Sequence, residues 1–236
     1  MHSTKSASVS QPKYAIIVAG GSGSRMKSDI PKQFIEVRGV PILLHTLKRF
    51  KEADSSIELV LVLPETQFDY WQTLLSKHEV LAKEVPHTLV KGGNSRFQSG
   101  KNGLAAIGNE GLVAIHDGVR PFVSTTTILE SFEVAQQKGT AVVSVPSKDS
   151  VRLIDGIANR AIDRSTVRLI QTPQTFQVAV IKKAFETEEL STFTDDASVA
   201  EAAGFNIHLI EGSYENIKIT TPEDLLWAEI LASKIH

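Results

Sequence analysis

The sequence predicts an α/β fold: a doubly wound, mainly parallel sheet with helices on both faces. Three observations carry this reading. Short apolar runs alternate with helix-like segments almost from end to end. The runs at residues 14–19, 57–63 and 112–116 are continuously apolar rather than alternating, as strands covered on both faces are. The first run opens directly into Gly20-Gly21-Ser22-Gly23-Ser24-Arg25-Met26, a side-chain-poor loop at a strand's carboxyl end, where open α/β sheets hold ligands.

Taken in order, residues 1–12 read as a polar, frayed tail ahead of the first strand. Pro41 stands at a first helical position before Ile42, Leu43, Leu44, Leu47 and Phe50. Strands are expected at 57–63, 88–91, 112–116 and 140–145. Two of these run into unusual loops: Gly92-Gly93-Asn94-Ser95-Arg96-Phe97-Gln98-Ser99 leads into a helix start, and Asp117-Gly118-Val119-Arg120-Pro121-Phe122 follows the central run. Ser124 can cap a helix carrying Ile128, Leu129, Phe132 and Ala135, which Gly139 stops. Residues 147–167 break the rhythm. Two strand-like pieces, 151–154 and 157–162, flank Asp155-Gly156, a hairpin turn signal. So polar a hairpin has no core of its own and is expected to project and pack on something else, such as a second subunit. Later strands fall near 168–171, 207–210 and 217–219, and Thr221-Pro222-Glu223-Asp224 opens the last helix with a cap, a proline and two acids. No repeat or linker divides the chain, so residues 13–236 are expected to form one domain with 147–167 as an inserted arm.

Composition narrows the function. With 236 residues, 42% hydrophobic and 22% charged, the chain can build one sizeable core and carries no disorder signature. A net charge of −2 argues against a general nucleic-acid binder, so any anion site must be a local cluster of cations. The absence of cysteine removes disulfides, thiolate metal sites and cysteine nucleophiles. No run reaches the length of a membrane span and the first residues lack a signal-peptide core, which makes the cytoplasm the expected location.

The chemistry-bearing residues gather after strand ends. A glycine loop can lay backbone N–H groups against phosphates, and Arg25 and Lys32 can add charge at its far end. Met26 breaks the dinucleotide fingerprint, which dismisses an NAD-dependent oxidoreductase, and no Gly-Lys-Ser/Thr completes a Walker loop. What remains, GxGxRM with a downstream Pro-Lys, is the arrangement of nucleotidyltransferases that act at the α-phosphate of a nucleoside triphosphate. Displacement there builds charge on the phosphoryl oxygens and the departing pyrophosphate, which calls for fixed cations, N–H donors and Mg²⁺. An acceptor that is itself a phosphate monoester needs no general base but does need a second set of cations, for which Arg164 and Lys218 are candidates. Plainer readings stand beside these. Arg96 could be half of a surface ion pair, Asp117 and Arg120 a structural salt bridge, and Lys218 a solvated strand residue. Asp195-Asp196 could be simply acid in a first helical turn, with Thr194 offering a hydroxyl and an N–H to an anion. His116 is assigned no role.

Together, AGGSGSRM with PKQF, GGNSRFQS, HDGVRPF, IDR, QTPQTF, TDDAS and NIKITTPEDL occur in the order found in the 2-C-methyl-D-erythritol 4-phosphate cytidylyltransferases of the non-mevalonate isoprenoid pathway, and the chain resembles that family from Tyr14 to its last helix. The resemblance implies a Rossmann-like nucleotidyltransferase fold, transfer of CMP from CTP, release of pyrophosphate, and a divalent cation, Mg²⁺ or Mn²⁺. Carried over by motif, Arg25 and Lys32 resemble the pair that stabilises the transition state. Ala19, Gly20, Gly21 and Gly23 resemble the nucleotide loop, and Gly92, Asn94, Arg96 and Ser99 the segment reading cytosine and ribose. Asp117, with Gly118 beside it, and Arg120 match the HDxxRP motif near ribose, metal and acceptor; Asp117 is the one candidate metal contact. Arg164, Thr194 and Lys218 resemble the acceptor-phosphate contacts. In the family the inserted arm reaches a partner subunit, which implies a homodimer with Arg164 acting across its interface. Gly118 stands where many relatives have Ala, and Asn94 where several have Asp. Ribitol-5-phosphate cytidylyltransferases share the loop, HDxVRPF and QTPQTF; Ile162-Asp163-Arg164 and Thr194–Ser198 favour the methylerythritol enzymes. A non-catalytic nucleotide-binding regulator is the remaining alternative, against which Arg25 and Lys32 speak.

Overall fold

The computed structural model describes residues 11–20, 26 and 30–234. Alternation along the first strand, β1 (Lys13–Val18), shows why the sheet is wound on both sides. Ala15 and Ile17 enter one hydrophobic cluster while Tyr14 and Ile16 enter another on the opposite face. After β1 come a single 3-10 turn at Lys32–Phe34, a small ladder of β2 (Glu36–Val37) and β3 (Val40–Pro41), and α1 (Ile42–Ala53). Then follow β4 (Glu58–Leu63), α2 (Phe68–Lys77), α3 (Glu79–Glu84), β5 (His87–Lys91) and α4 (Arg96–Ala105). The chain continues through β6 (Leu112–Asp117), α5 (Thr125–Lys138) and β7 (Thr140–Pro146), then the arm strands β8 (Val151–Asp155) and β9 (Ala158–Ile162). It ends with β10 (Arg168–Gln177), α6 (Val178–Ala184), α7 (Asp196–Ala202), β11 (Leu209–Glu211) and α8 (Pro222–Ala232).

The main sheet is seven-stranded in the order β11-β7-β10-β6-β1-β4-β5. Neighbours are parallel except at β10, which runs antiparallel to both β6 and β7. Helices α1, α2 and α5 supply Leu47, Phe50, Trp71 and Phe132 to one face. Helices α4, α6 and α7 supply Leu104, Ile181 and Val199 to the other. A third cluster joins α8 to the loop after β6 through Ala228, Leu231, Val119, Phe122 and Ile219.

The expected caps form. Ser124 accepts the Thr127 N–H, Gly139 ends α5 at φ 89°, and Thr221 and Asp224 close a capping box on α8. Other expectations need correcting. Pro41 is the residue before α1 rather than its first, with an extended ψ of 136°. The strand expected at 168–171 continues to Gln177, because Thr175 and Phe176 pair with Ala141 and Thr140 after a register shift beyond Ile170. Residues 217–219 form no ladder; the Ile219 N–H bonds the Val119 carbonyl and Lys218 sits in extended loop. The hairpin does form, yet its two-residue turn is Gly156-Ile157, since Asp155 pairs with Ala158. Gly156 alone of the two has positive φ, the pattern of a II′ turn. The arm forms its own two-stranded sheet and leaves Leu153, Ile154 and Ile157 exposed.

Candidate active site

Two clefts open beyond the carboxyl ends of β1, β5 and β6, and they share a wall. One, of about 230 Å³, is bounded by Ala19, Gly20, Lys32, Gln33, Gly93, Asn94, Ser95 and Ser99. The other, of about 220 Å³, is bounded by Arg120, Gln171, Thr172, Gln174, Thr194 and Asp195. Arg96, Asp117 and Lys218 line both.

Asp117 organises that wall. It ends β6, the central run of the sheet, and its N–H donates to Thr172 Oγ1 at 3.1 Å. Oδ2 lies 3.1 Å from both Arg120 Nε and Lys218 Nζ, and Oδ1 lies 3.9 Å from Arg96 Nε. Burial acts to raise its pKa, but the charges of Lys218, Arg96 and Arg120 outweigh it and hold the carboxyl well below the usual range. Arg120 also donates to the Asn216 carbonyl at 2.8 Å, which ties the loop after β6 to the segment carrying Lys218. The neighbouring His116 is fully buried. Desolvation lowers its pKa to about 4, so the neutral ring donates from Nε2 to the Arg120 carbonyl and packs edge-on against Phe50. It braces the loop after β6.

Arg96 is the first residue of α4, and its pairing was not legible in the sequence. Its guanidinium donates at 2.6 Å to Asp196, which is 1% exposed. Burial opposes the charge on Arg96, but Asp196 and Asp117 more than compensate and raise its pKa further. Burial raises the Asp196 pKa, and the charge of Arg96 with its short bond acts against that rise. Asp195 is the cap of α7 rather than part of its first turn: it accepts the Ser198 N–H and a bond from Gln174 Nε2. Stacking of Phe97 on Phe185 and Phe193 locks the start of α4 to this region. Thr194 lines the second cleft, but its N–H is directed to Ser198 Oγ at 3.2 Å.

The glycines divide into two kinds. Gly20 and Gly93 line the first cleft, and the Gly93 N–H donates to Ser99 Oγ at 3.1 Å. A Cβ on Gly93 would lie 2.1 Å from Gln98 Cγ. Gly92 and Gly118, expected among the nucleotide contacts, line neither cleft. Their N–H groups bond the Leu63 and Val18 carbonyls at 2.7 and 2.8 Å, and a Cβ on Gly118 would meet that of Ala19 at 2.8 Å. Arg164 lies in a 3-10 turn at the arm's root, exposed and bonded to the Lys148 carbonyl at 2.8 Å; it lines neither cleft of its own chain. Gly21, Gly23 and Arg25 lie outside the described residues. Among the described residues no three His or carboxylate side chains gather to hold a metal ion. Among the described residues Asp117 is the one carboxylate lining the first cleft, and its Oδ1 is the less engaged oxygen, which fits an ion held mainly by a triphosphate. No helix among the described residues is long and apolar enough to cross a membrane.

Comparison with known proteins agrees with this geometry. The family model described as "IspD: 2-C-methyl-D-erythritol 4-phosphate cytidylyltransferase" matches residues 14–234. The enzyme of that name from Bacteroides thetaiotaomicron is 46% identical over 210 residues, covering 89% of this chain and 94% of its own. That from Porphyromonas gingivalis is 46% identical over 222 residues, covering 94% and 98%. A crystal structure of 4-diphosphocytidyl-2C-methyl-D-erythritol synthase from Anaerococcus prevotii superposes with a TM-score of 0.79 at 31% identity, covering 94% of this chain and 96% of that one. The 2-C-methyl-D-erythritol 4-phosphate cytidylyltransferase of Thermus thermophilus gives 0.74 at 31% identity, covering 93% and 98%. With its motifs, fold and paired clefts in place, the chain belongs to the 2-C-methyl-D-erythritol 4-phosphate cytidylyltransferase family.

Proposed function

We propose that the protein transfers CMP from CTP to 2-C-methyl-D-erythritol 4-phosphate, giving 4-diphosphocytidyl-2-C-methyl-D-erythritol and pyrophosphate. The observation that carries this reading, beside family membership, is the shared wall: two clefts suited to two anions meet at Arg96, Asp117 and Lys218. The cleft with Gly20, Gly93, Asn94 and Ser99 takes CTP, with Lys32, and Arg25 from the glycine loop, directed to the α-phosphate. The cleft with Arg120, Thr194 and Lys218 takes the acceptor phosphate. That phosphate oxygen is already nucleophilic, so no side chain needs to remove a proton. The residues instead hold two repelling anions in line and neutralise the charge that grows on the leaving pyrophosphate. Asp117 keeps Arg120 and Lys218 aimed, because both cations share one of its oxygens. Mg²⁺ or Mn²⁺, held mainly by the CTP phosphates with Asp117 as its protein contact, would spread the charge of the triphosphate.

The active unit in this reading is a homodimer in the cytoplasm, in which Arg164 of the partner subunit completes the acceptor site. Its exposed place on an arm with uncovered Leu153, Ile154 and Ile157 supports this. Purified protein with CTP and 2-C-methyl-D-erythritol 4-phosphate should release pyrophosphate. Turnover with ribitol 5-phosphate alone would reassign the acceptor, and no release with either would leave a nucleotide-binding regulator.

A further inference from the structure

Gln33 is a polar side chain placed where the packing around it favours an apolar one. It is 1% exposed, yet it borders the CTP cleft beside Lys32. The short 3-10 turn Lys32–Phe34 sends its three side chains to different places. Lys32 reaches the cleft, and Phe34 packs between Tyr70 and Trp71 with ring centroids 5.1 and 5.9 Å away. Gln33 turns back to the end of β1, where its Nε2 donates to the Ala19 carbonyl at 2.9 Å and to Gln67 Oε1 at 2.7 Å. Its own Oε1 is buried without a partner among the described residues. Accepting a buried, unsatisfied oxygen is unfavourable. The amide's useful end is therefore the one that grips Ala19.

We infer that Gln33 is a positioning residue for CTP: by holding the Ala19 carbonyl it aims the Gly20 N–H at the triphosphate. The inference rests on the assignment of this cleft to CTP. The peptide joining Ala19 to Gly20 is planar and trans, so its C=O and N–H point in opposite directions. Fixing the oxygen on Gln33 turns the Gly20 N–H to the other side, and among the described residues that N–H has no acceptor. The Ala19 N–H is itself bonded to the Val62 carbonyl at 3.0 Å, so the peptide planes on either side of Ala19 are both anchored before the glycine loop begins. Glycine at 20 would otherwise let that peptide rotate freely. The PKQF motif thus carries two functions in successive residues, a cation from Lys32 and a fixed donor through Gln33.

Gln33→Leu keeps the bulk and removes both bonds. Steady-state kinetics of the purified full-length variant should show the KM for CTP raised about tenfold, the value of one lost hydrogen bond. The kcat at saturating CTP and the KM for the polyol phosphate should stay within about twofold of wild type. Equal rises in both KM values, or an unchanged KM for CTP, would overturn the inference. In case the variant folds poorly, wild-type protein labelled with ¹⁵N gives a second reading. Addition of CTP with Mg²⁺ should move the Gly20 amide proton downfield, and an unmoved Gly20 signal in CTP-saturated protein would overturn the inference without any mutation. Wild-type protein that fails to bind CTP at all would overturn the cytidylyltransferase reading first, and this inference with it.

Discussion

Asp117 acts through what it holds. A buried carboxylate facing Lys218, Arg96 and Arg120 stays ionised far into acid, so it can fix two cations in the wall between the clefts at any pH where the protein is folded. Asp117→Asn preserves shape while removing that charge. It should lower kcat/KM by about 10²–10³, with the KM values for CTP and acceptor both displaced. A change confined to one substrate would sink the idea of a shared wall. At this scale much of the site was legible, because Lys32, Asp117, Arg120 and Lys218 follow strand ends or stand in short motifs. Asp196 and Gln33 were not. Asp196 gains its meaning from Arg96, 100 residues earlier in the chain, and Gln33 from the carbonyl of Ala19; no local pattern marks either pairing. Gly92 and Gly118 are a related case, since neither lines a cleft. The sequence shows that a residue lacks a Cβ, but not whether the space so made belongs to a ligand or to Ala19 and Ser99.

Among the elements, α7 has a cap that is also part of the site. Asp195 accepts the Ser198 N–H and anchors Gln174 of β10, while Gln174 Oε1 accepts the Ala197 N–H. Asp195→Ala should destabilise the protein by about 1–2 kcal/mol in urea titrations and loosen the acceptor cleft, so that the acceptor KM rises more than the CTP KM. A stability within experimental error of wild type would show that the cap is dispensable. The parallel strands were readable because strands buried on both faces leave continuous apolar runs. β10 was cut short at Gln171 because its Gln-Thr-Pro-Gln centre looks like loop, and only pairing with β6 and β7 carries the strand on to Gln177. Residues 217–219 erred in the opposite direction: a strand was expected there, but the neighbouring loop after β6 offers a single hydrogen bond at Ile219.

Across the whole molecule the buried His116 and the half-buried His87 couple stability to pH. His87 accepts from Trp71 Nε1 at 3.0 Å and bonds the Val85 carbonyl, and burial lowers its pKa as it does that of His116. Each is harder to protonate in the folded protein than in the unfolded chain. Stability is therefore full above about pH 6.5 and is lost as the pH falls toward the folded pKa, about 4 for His116. Between pH 7 and 5 the His116 contribution should fall by about 2 kcal/mol, and urea midpoints for His116→Gln should show a shallower slope over that range. A slope equal to that of wild type would show that His116 is not the source. At the level of the assembly, Arg25→Ala and Arg164→Ala proteins should each be inactive. A mixture allowed to exchange subunits should recover up to about a quarter of wild-type activity, since half the dimers are mixed and each has one intact site. If exchange occurs and no activity returns, Arg164 does not act in trans. The reversed direction of β10 bears on how such an enzyme can change. Because β10 runs against β6 and β7, the arm leaves the sheet and re-enters it on the ligand-binding edge, without crossing either helical layer. The hairpin can therefore lengthen, shorten or change its tip while every strand keeps its neighbours, so descendants can vary the arm and still inherit the frame of both clefts intact.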